Sequence, residues 1–160
     1  MPPLSVRRAS LVACLSAATV LGTVAATALA PAANAATTIT VAADGSGNYT
    51  TVQAAIAAAS SGTVISIKAG TYYGQVAIAS GKSGITLRGA TGAATDIVIT
   101  GSVPQSTAGA SGSATVLNLA KNTTITGLTI ANTYAAHDSQ ALALYAGGDR
   151  QVYRNVRLIG

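Results

Sequence analysis

Beyond residue 62 the chain is written in short words. Two or three aliphatic positions alternate with polar ones, and then Gly, Ser, Asn or Asp interrupts. Period-two alternation of this kind predicts half-buried strands. They fall at residues 63–68, 75–79, 85–88, 97–100, 115–119, 128–131, 141–145 and 156–159, and the short β-branched residues 37–41 add a strand ahead of them. One stretch departs from the pattern. Thr50 or Thr51 can cap a helix that carries Val52, Ile56 and Ala59 on one face and stops at Ser60-Ser61-Gly62. No other segment reads as a helix, and the Gly- and Ser-rich residues 101–113 read as a loop on one face.

The aliphatic pairs recur. Ile65/Ile67 returns as Ile85/Leu87, and Val76/Ile78 as Ile97/Ile99. Leu117/Leu119 returns as Leu142/Leu144, and Leu128/Ile130 as Val156/Leu158. Strands at a similar period, without intervening helices and without two-residue hairpin signals, predict a solenoid of β-coils rather than a sandwich. In a parallel β-helix, coils stack at about 4.8 Å and like residues form inward ladders. The helix would cover the unpaired edge of the first coil. After Ile159-Gly160 the pattern stops without a polar cap, so the expected architecture is an all-β parallel β-helix cut off at its C-terminal end.

Composition agrees. Of 160 residues 49% are hydrophobic, but only 8% are charged and 4% aromatic, with 17 Gly and neither Trp nor Phe. That suits layers of small side chains and excludes a coiled coil or a disordered polyelectrolyte. Residues 1–35 stand apart. Arg7 and Arg8 precede an uncharged apolar run from Leu11 to Leu29, and Ala33-Asn34-Ala35 offers a small-x-small cleavage site. This reads as a secretory signal, by the general or the twin-arginine route, removed after Ala35 (or after Ala30). A run of barely the ~20 residues needed to span, rich in Ala and Thr, argues against an anchor, so no stable membrane association is expected. The exported domain would be residues 36–160. It loses Arg7, Arg8 and Cys14, which leaves seven cations against four aspartates, a charge of +3, and no disulfide or thiolate metal site.

Several short patterns carry no chemistry. Gly45-Ser46-Gly47 lacks the third glycine and the acid of a dinucleotide site. Asp44, Ser46 and Asn48 lack the closing carboxylate of a calcium loop, because its twelfth position is Ala55. His137 beside Asp138 has no nucleophile elbow to serve, and one His with four scattered Asp gives no metal site. Alternation places Arg154 and Arg157 on opposite sides of a strand, so nucleic acid is not an expected partner.

The motifs that remain occur in a specific order. They are residues 41–56 (Val41 to Ile56, with Asp44-Gly45-Ser46-Gly47-Asn48-Tyr49-Thr50 inside), Gly70-Thr71-Tyr72, Ile85-Thr86-Leu87-Arg88-Gly89 and Ser113-Ala114-Thr115-Val116. Leu128-Thr129-Ile130-Ala131-Asn132, Gln140-Ala141-Leu142-Ala143-Leu144, Gly148-Asp149-Arg150 and residues 154–160 follow. This ordered set resembles the start of a pectinesterase (pectin methylesterase) catalytic domain. The resemblance implies a right-handed parallel β-helix and methyl-esterified polygalacturonate (pectin) as substrate; with the export signal, a secreted monomer is the expectation. The implied reaction is carboxylic ester hydrolysis that releases methanol without metal or cofactor. One aspartate attacks, a second serves as acid and then base, an arginine holds the nucleophile, and glutamines stabilise the oxyanion.

Of that set the resemblance assigns only Gln140 here, as the first site glutamine, donating to the substrate carbonyl or oxyanion. The second glutamine and first aspartate would follow Gly160, with the other aspartate and the arginine beyond. Asp149 and Arg150 match a turn of the family instead. Gly74 stands where the family often has Glu, and Ala110 near a substrate-contacting Thr. The chain alone is therefore expected to be inactive. The competing expectation is a non-catalytic secreted β-solenoid that binds acidic polysaccharide. A calcium-dependent pectate lyase would need a carboxylate cluster that four scattered aspartates do not supply.

Overall fold

The computed structural model describes residues 36–136 and 138–160. Residues 1–35, which the sequence reads as a secretory signal, and His137 lie outside the described residues. Ten strands and two helices follow one another: β1 (Thr38–Val41), α1 (Val52–Ala58), β2 (Val64–Ile67), β3 (Gly70–Tyr73), β4 (Val76–Ile78) and β5 (Thr86–Gly89). Then come β6 (Ile97–Gly101), α2 (Gln105–Ser113), β7 (Val116–Asn118), β8 (Thr124–Asn132), β9 (Leu144–Ala146) and β10 (Val152–Ile159).

Every strand pairing is parallel, and the pairings resolve into three ladders. The first stacks β1, β2, β5, and the leading halves of β8 and β10. The second stacks β3, β6, and the trailing halves of β8 and β10. The third stacks β4, β7 and β9. Each coil therefore visits the three ladders in turn, which is a parallel β-helix.

β8 and β10 each turn a corner between the first two ladders, at Gly127 (φ 68°) and Asn155 (φ 49°). Gly and Asn are the residues that adopt this left-handed conformation most readily. The corner resets the alternation. Arg154 pairs with Thr126 before it and Arg157 with Thr129 after it, and both arginines are exposed while Tyr153 and Val156 are half-buried. The expectation that Arg154 and Arg157 face opposite sides is thus corrected: both face outward, on different ladders.

The core is the set of inward columns. Ile65, Leu87 and Ile125 stack in the first ladder, and Ile97 and Leu128 with Ile99 and Ile130 in the second. All are buried. Close-packed aliphatic columns of this kind are the main favourable term in folding. Helix α1 lies over this core with Val52, Ala55 and Ile56. Thr51 caps it by accepting from the Ala54 N–H at 3.3 Å. Its far end is held by Lys82, whose Nζ donates to the carbonyls of Ala57 (2.9 Å) and Ala59 (2.6 Å). The cation there also complements the helix dipole. Gln53 Oε1 accepts from the Ala77 N–H at 2.7 Å, so the helix also closes part of the third ladder's first strand.

Three further expectations need correction. Residues 101–113 are not all loop, because α2 forms there. Its sequence has no apolar face, and Gly109 (φ 70°) interrupts it, so its helicity comes from tertiary hydrogen bonds that a periodicity reading cannot see. Strand β3 was not expected: only Tyr72 of its four residues is buried. The repeat partners also shift. Ile65 sits under Leu87 rather than under Ile85. Val76 stacks under Val116, while Ile97 stacks on Gly70 of β3, so those two pairs belong to different ladders. Leu144 stacks on Val116 rather than on Leu119. The match of Leu128 with Val156 stands.

At the first corner the coils come very close. A Cβ added to Gly89 would lie 2.0 Å from the Gly127 carbonyl oxygen, whereas one on Gly81 meets nothing within 4 Å. Gly89→Ala is expected to cost about 1–3 kcal/mol as overpacking, and Gly81→Ala less than about 0.5 kcal/mol as an open surface change. Urea unfolding of the two variants compares them directly; equal losses would contradict the close corner.

Candidate active site

The end of β8 organises the outer face of the second ladder. Asn132 is buried, and its Nδ2 donates to the carbonyls of Val103 (2.9 Å), Ser113 (2.9 Å) and Leu142 (3.2 Å). Its Oδ1 accepts from the Tyr134 N–H at 3.2 Å. The residues before α2, the end of α2 and the segment after Gln140 are thereby fastened to one side chain.

A second set of bonds joins α2 to that segment. The Gln105 N–H donates to the Gln140 carbonyl at 2.9 Å, and the Ser106 N–H donates to Ser139 Oγ at 2.8 Å. Pro104, at the N-cap, offers no side-chain acceptor, so Ser139 acts in its place from the segment before β9. Further on, the Thr115 and Val116 N–H groups donate to Leu142 (3.0 Å) and Ala143 (2.9 Å). Gln140 is thus held by its backbone on both sides. Its side chain is exposed and makes no hydrogen bond among the described residues. An amide so placed can donate to a ligand.

Gln140 borders a cleft of about 460 Å³ with Tyr134, Ser139 and Gly160. The Tyr134 hydroxyl donates to Asp138 Oδ1 at 2.8 Å, and this bond to a carboxylate holds the phenol above its usual pKa. A wider groove of about 650 Å³ is lined by outward residues of the second ladder and by Thr133, next to Tyr134 in the chain.

The aspartates stay apart. Asp44 turns back on Ser46, whose Oγ and N–H bonds hold it below the usual carboxylate range. Asp96 lies before β6, and Asp138 serves Tyr134. Asp149 pairs with Arg150 at 3.0 Å in an exposed turn, and Arg150 Nε also donates to Asn122 Oδ1 at 2.6 Å. Among the described residues no cluster of three metal-ligating side chains occurs. Ala110 lies on α2, and Gly74 (φ 107°) on the wider groove.

Asn132, Ser139 and Gln105 were not singled out by sequence reasoning. Asn132 stood inside a quoted motif, and the switch from an aliphatic run to a single Asn at its end was the available signal.

The second ladder carries an open groove, and the segment before β9 carries an exposed amide. Comparison with known proteins makes this specific. The family model "Pectinesterase" matches residues 38–160. The chain is 39% identical over 127 residues to pectinesterase/pectinesterase inhibitor 3 of Arabidopsis thaliana, which covers 75% of this chain and 21% of that protein. Pectin methylesterase from carrot superposes with a TM-score of 0.66 at 37% identity, over 72% of this chain and 38% of that one. PemA from Erwinia chrysanthemi superposes with 0.65 at 28% identity, over 80% and 44%. A pectin methylesterase in complex with a hexasaccharide superposes with 0.62 at 26% identity, over 76% and 44%. The chain belongs to the pectinesterase family, and it spans less than half the length of each of these relatives.

The Tyr134–Asp138 bond can be read by titration. Asp138→Asn removes the carboxylate that favours the protonated phenol, so the Tyr134 pKa is expected to fall toward the ordinary value near 10. The linked stability is present below that ordinary value and is lost as pH rises through the raised one. NMR titration with ring-labelled tyrosine checks the direction; an unchanged or higher Tyr134 pKa in the variant would contradict the bond.

Proposed function

We propose that this chain is part of the catalytic β-helix of a secreted pectin methylesterase, which hydrolyses methyl esters of polygalacturonate to carboxylates and methanol. Membership of the family and likeness to pectin methylesterases support the activity. Residues 1–35 act as the export signal, and residues 36–160 as the start of the enzyme domain, monomeric and extracellular.

In this reading Gln140 is the oxyanion donor. Water is the net reactant: the ester C–O bond breaks, methanol leaves with a proton, and the acid product ionises. As a carboxylate attacks the ester carbonyl, charge grows on its oxygen, and a preorganised amide there is worth far more than in water. The observation that carries this role is an exposed side-chain amide, without a protein partner among the described residues, on a backbone held from two sides. The attacking and proton-transferring carboxylates must be neighbours with opposed protonation states. Asp44, Asp96, Asp138 and Asp149 are each engaged or placed in separate turns. We therefore assign the carboxylate pair to residues beyond 160, and the 36–160 polypeptide to an inactive state by itself.

The test has two arms, with methanol release from methyl-esterified pectin as the readout. The 36–160 polypeptide is expected to release none above blank. In an active enzyme carrying this chain, Gln140→Ala is expected to lower kcat about 10²–10³-fold, the usual loss for one oxyanion donor. Methanol from the isolated polypeptide would overturn the assignment of the carboxylates, and an unchanged kcat in the variant would overturn the role of Gln140.

A further inference from the structure

The wider groove lies on the outward positions of the second ladder, away from Gln140. Register places Tyr73, Thr100 and Ala131 in one outward column across three coils, with Thr71 and Val98 beside them. Three coils span about 10 Å along the axis, roughly the length of a disaccharide. Tyr73 is 83% exposed, the most exposed large hydrophobic side chain described, and it forms one wall. The floor is formed by small residues.

Two features point to a ligand. Thr100 is only 8% exposed, yet its Oγ1 is buried with no hydrogen-bond partner among the described residues. A buried hydroxyl left unpaired is costly and uncommon in folded proteins. In addition, no Lys, Arg, Asp or Glu among the described residues lines the groove. An incoming carboxylate would lose hydration without gaining a partner, whereas a methyl ester buries at little cost. The apolar face of a pyranose suits an exposed aromatic ring, and the volume is within the range of ligand pockets.

We infer that this groove is a remote subsite for methyl-esterified galacturonosyl residues, with Tyr73 as the stacking platform and the Thr100 hydroxyl as a polar anchor. The inference rests on the pectin reading above and extends it. Thr133 of this groove and Tyr134 of the Gln140 cleft are consecutive in the chain, and a polysaccharide long enough to reach both cavities would be held at both. The subsite would then favour substrate that is still esterified some distance from the reacting residue. Tyr73 and Thr100 touch no reacting atom; they select which stretch of polymer is held.

The experiment uses the 36–160 polypeptide with ring-labelled tyrosine and two probes, fully methyl-esterified hexagalacturonate and its de-esterified form. Saturable shifts at Tyr73 are expected with the esterified probe, and binding about tenfold weaker with the other. Tyr73→Ala is expected to weaken binding about tenfold and Tyr73→Phe to restore it, as loss of one stacking contact implies. Thr100→Val gives a second signature. It removes an unpaired hydroxyl, so thermal stability should hold or rise while affinity falls severalfold. Equal affinity for both probes, or unaltered affinity in Tyr73→Ala, overturns the subsite. Shifts confined to Tyr134, or none with either probe, overturn it as well, and neither result touches methanol release by the longer enzyme, which tests the pectin reading separately.

Discussion

Asn132 stands where β8 leaves the ladder, and its carboxamide reaches carbonyls of three segments that no strand pairing holds together at that point. Val103, Ser113 and Leu142 come from both ends of α2 and from the chain beyond Gln140. Two amide hydrogens serve three acceptors, so the contacts share donors rather than adding independently. Their value lies in what replaces them. Without the side chain the Val103 and Ser113 carbonyls lose this partner, whereas Leu142 keeps the Thr115 N–H, and a buried carbonyl left unpaired costs about 1–3 kcal/mol. Helix α2 has neither an apolar face nor a side-chain cap of its own, and besides Asn132 it is held by Ser139 and the Gln140 carbonyl at its start and by Gln75 Nε2 at its end.

The scaffold beneath is indifferent to this. Its stability comes from the inward columns, where Leu87, Ile99, Ile125 and Ile130 exclude water, and from α1 covering one end. Corners such as Gly89 under Gly127 let the coils approach. Division of labour follows. The ladders set the spacing of outward positions, and a few polar side chains decide what is mounted on them. Tyr73 and Thr100 depend on that outward lattice for their places, and Gln140 on the bonds that fasten the segment before β9. The column of Leu158, 55% exposed, ends at the last described coil, and there the apolar layer meets no further one among the described residues.

Much of this was legible in the sequence. Alternating aliphatic pairs declared strands, and the lack of hairpin turns declared parallel coils. Thr51 and the face of Val52 and Ile56 declared α1. What periodicity could not give was register. Coils are unequal in length: the step from Val64 to its partner Thr86 is far shorter than the next, from Thr86 to Thr124, and this hides which pair stacks on which. Positive-φ corners at Gly127 and Asn155 shift the alternation without changing the composition of the strand. Helix α2 escaped because its cause is tertiary. At the site, the motif around Gln140 was readable, but the residues that hold it were not. Asn132, Ser139 and Gln105 act through backbone groups distant in sequence, and such partners leave no local spacing to find. Gly74 and Ala110, read as departures from a family pattern, lie respectively on the wider groove and on α2.

Native-state hydrogen exchange of Asn132→Ala tests the central claim, that one carboxamide fastens the functional face to an otherwise self-sufficient stack. The amides to follow are Gln105 and Ser106, which donate to Gln140 and Ser139, with Leu87 and Ile99 as reporters of the ladders. The account predicts that exchange at Gln105 and Ser106 accelerates at least about tenfold more than at Leu87 and Ile99, because local opening is decoupled from global unfolding. Uniform acceleration at all four amides, or none at Gln105 and Ser106, would contradict it.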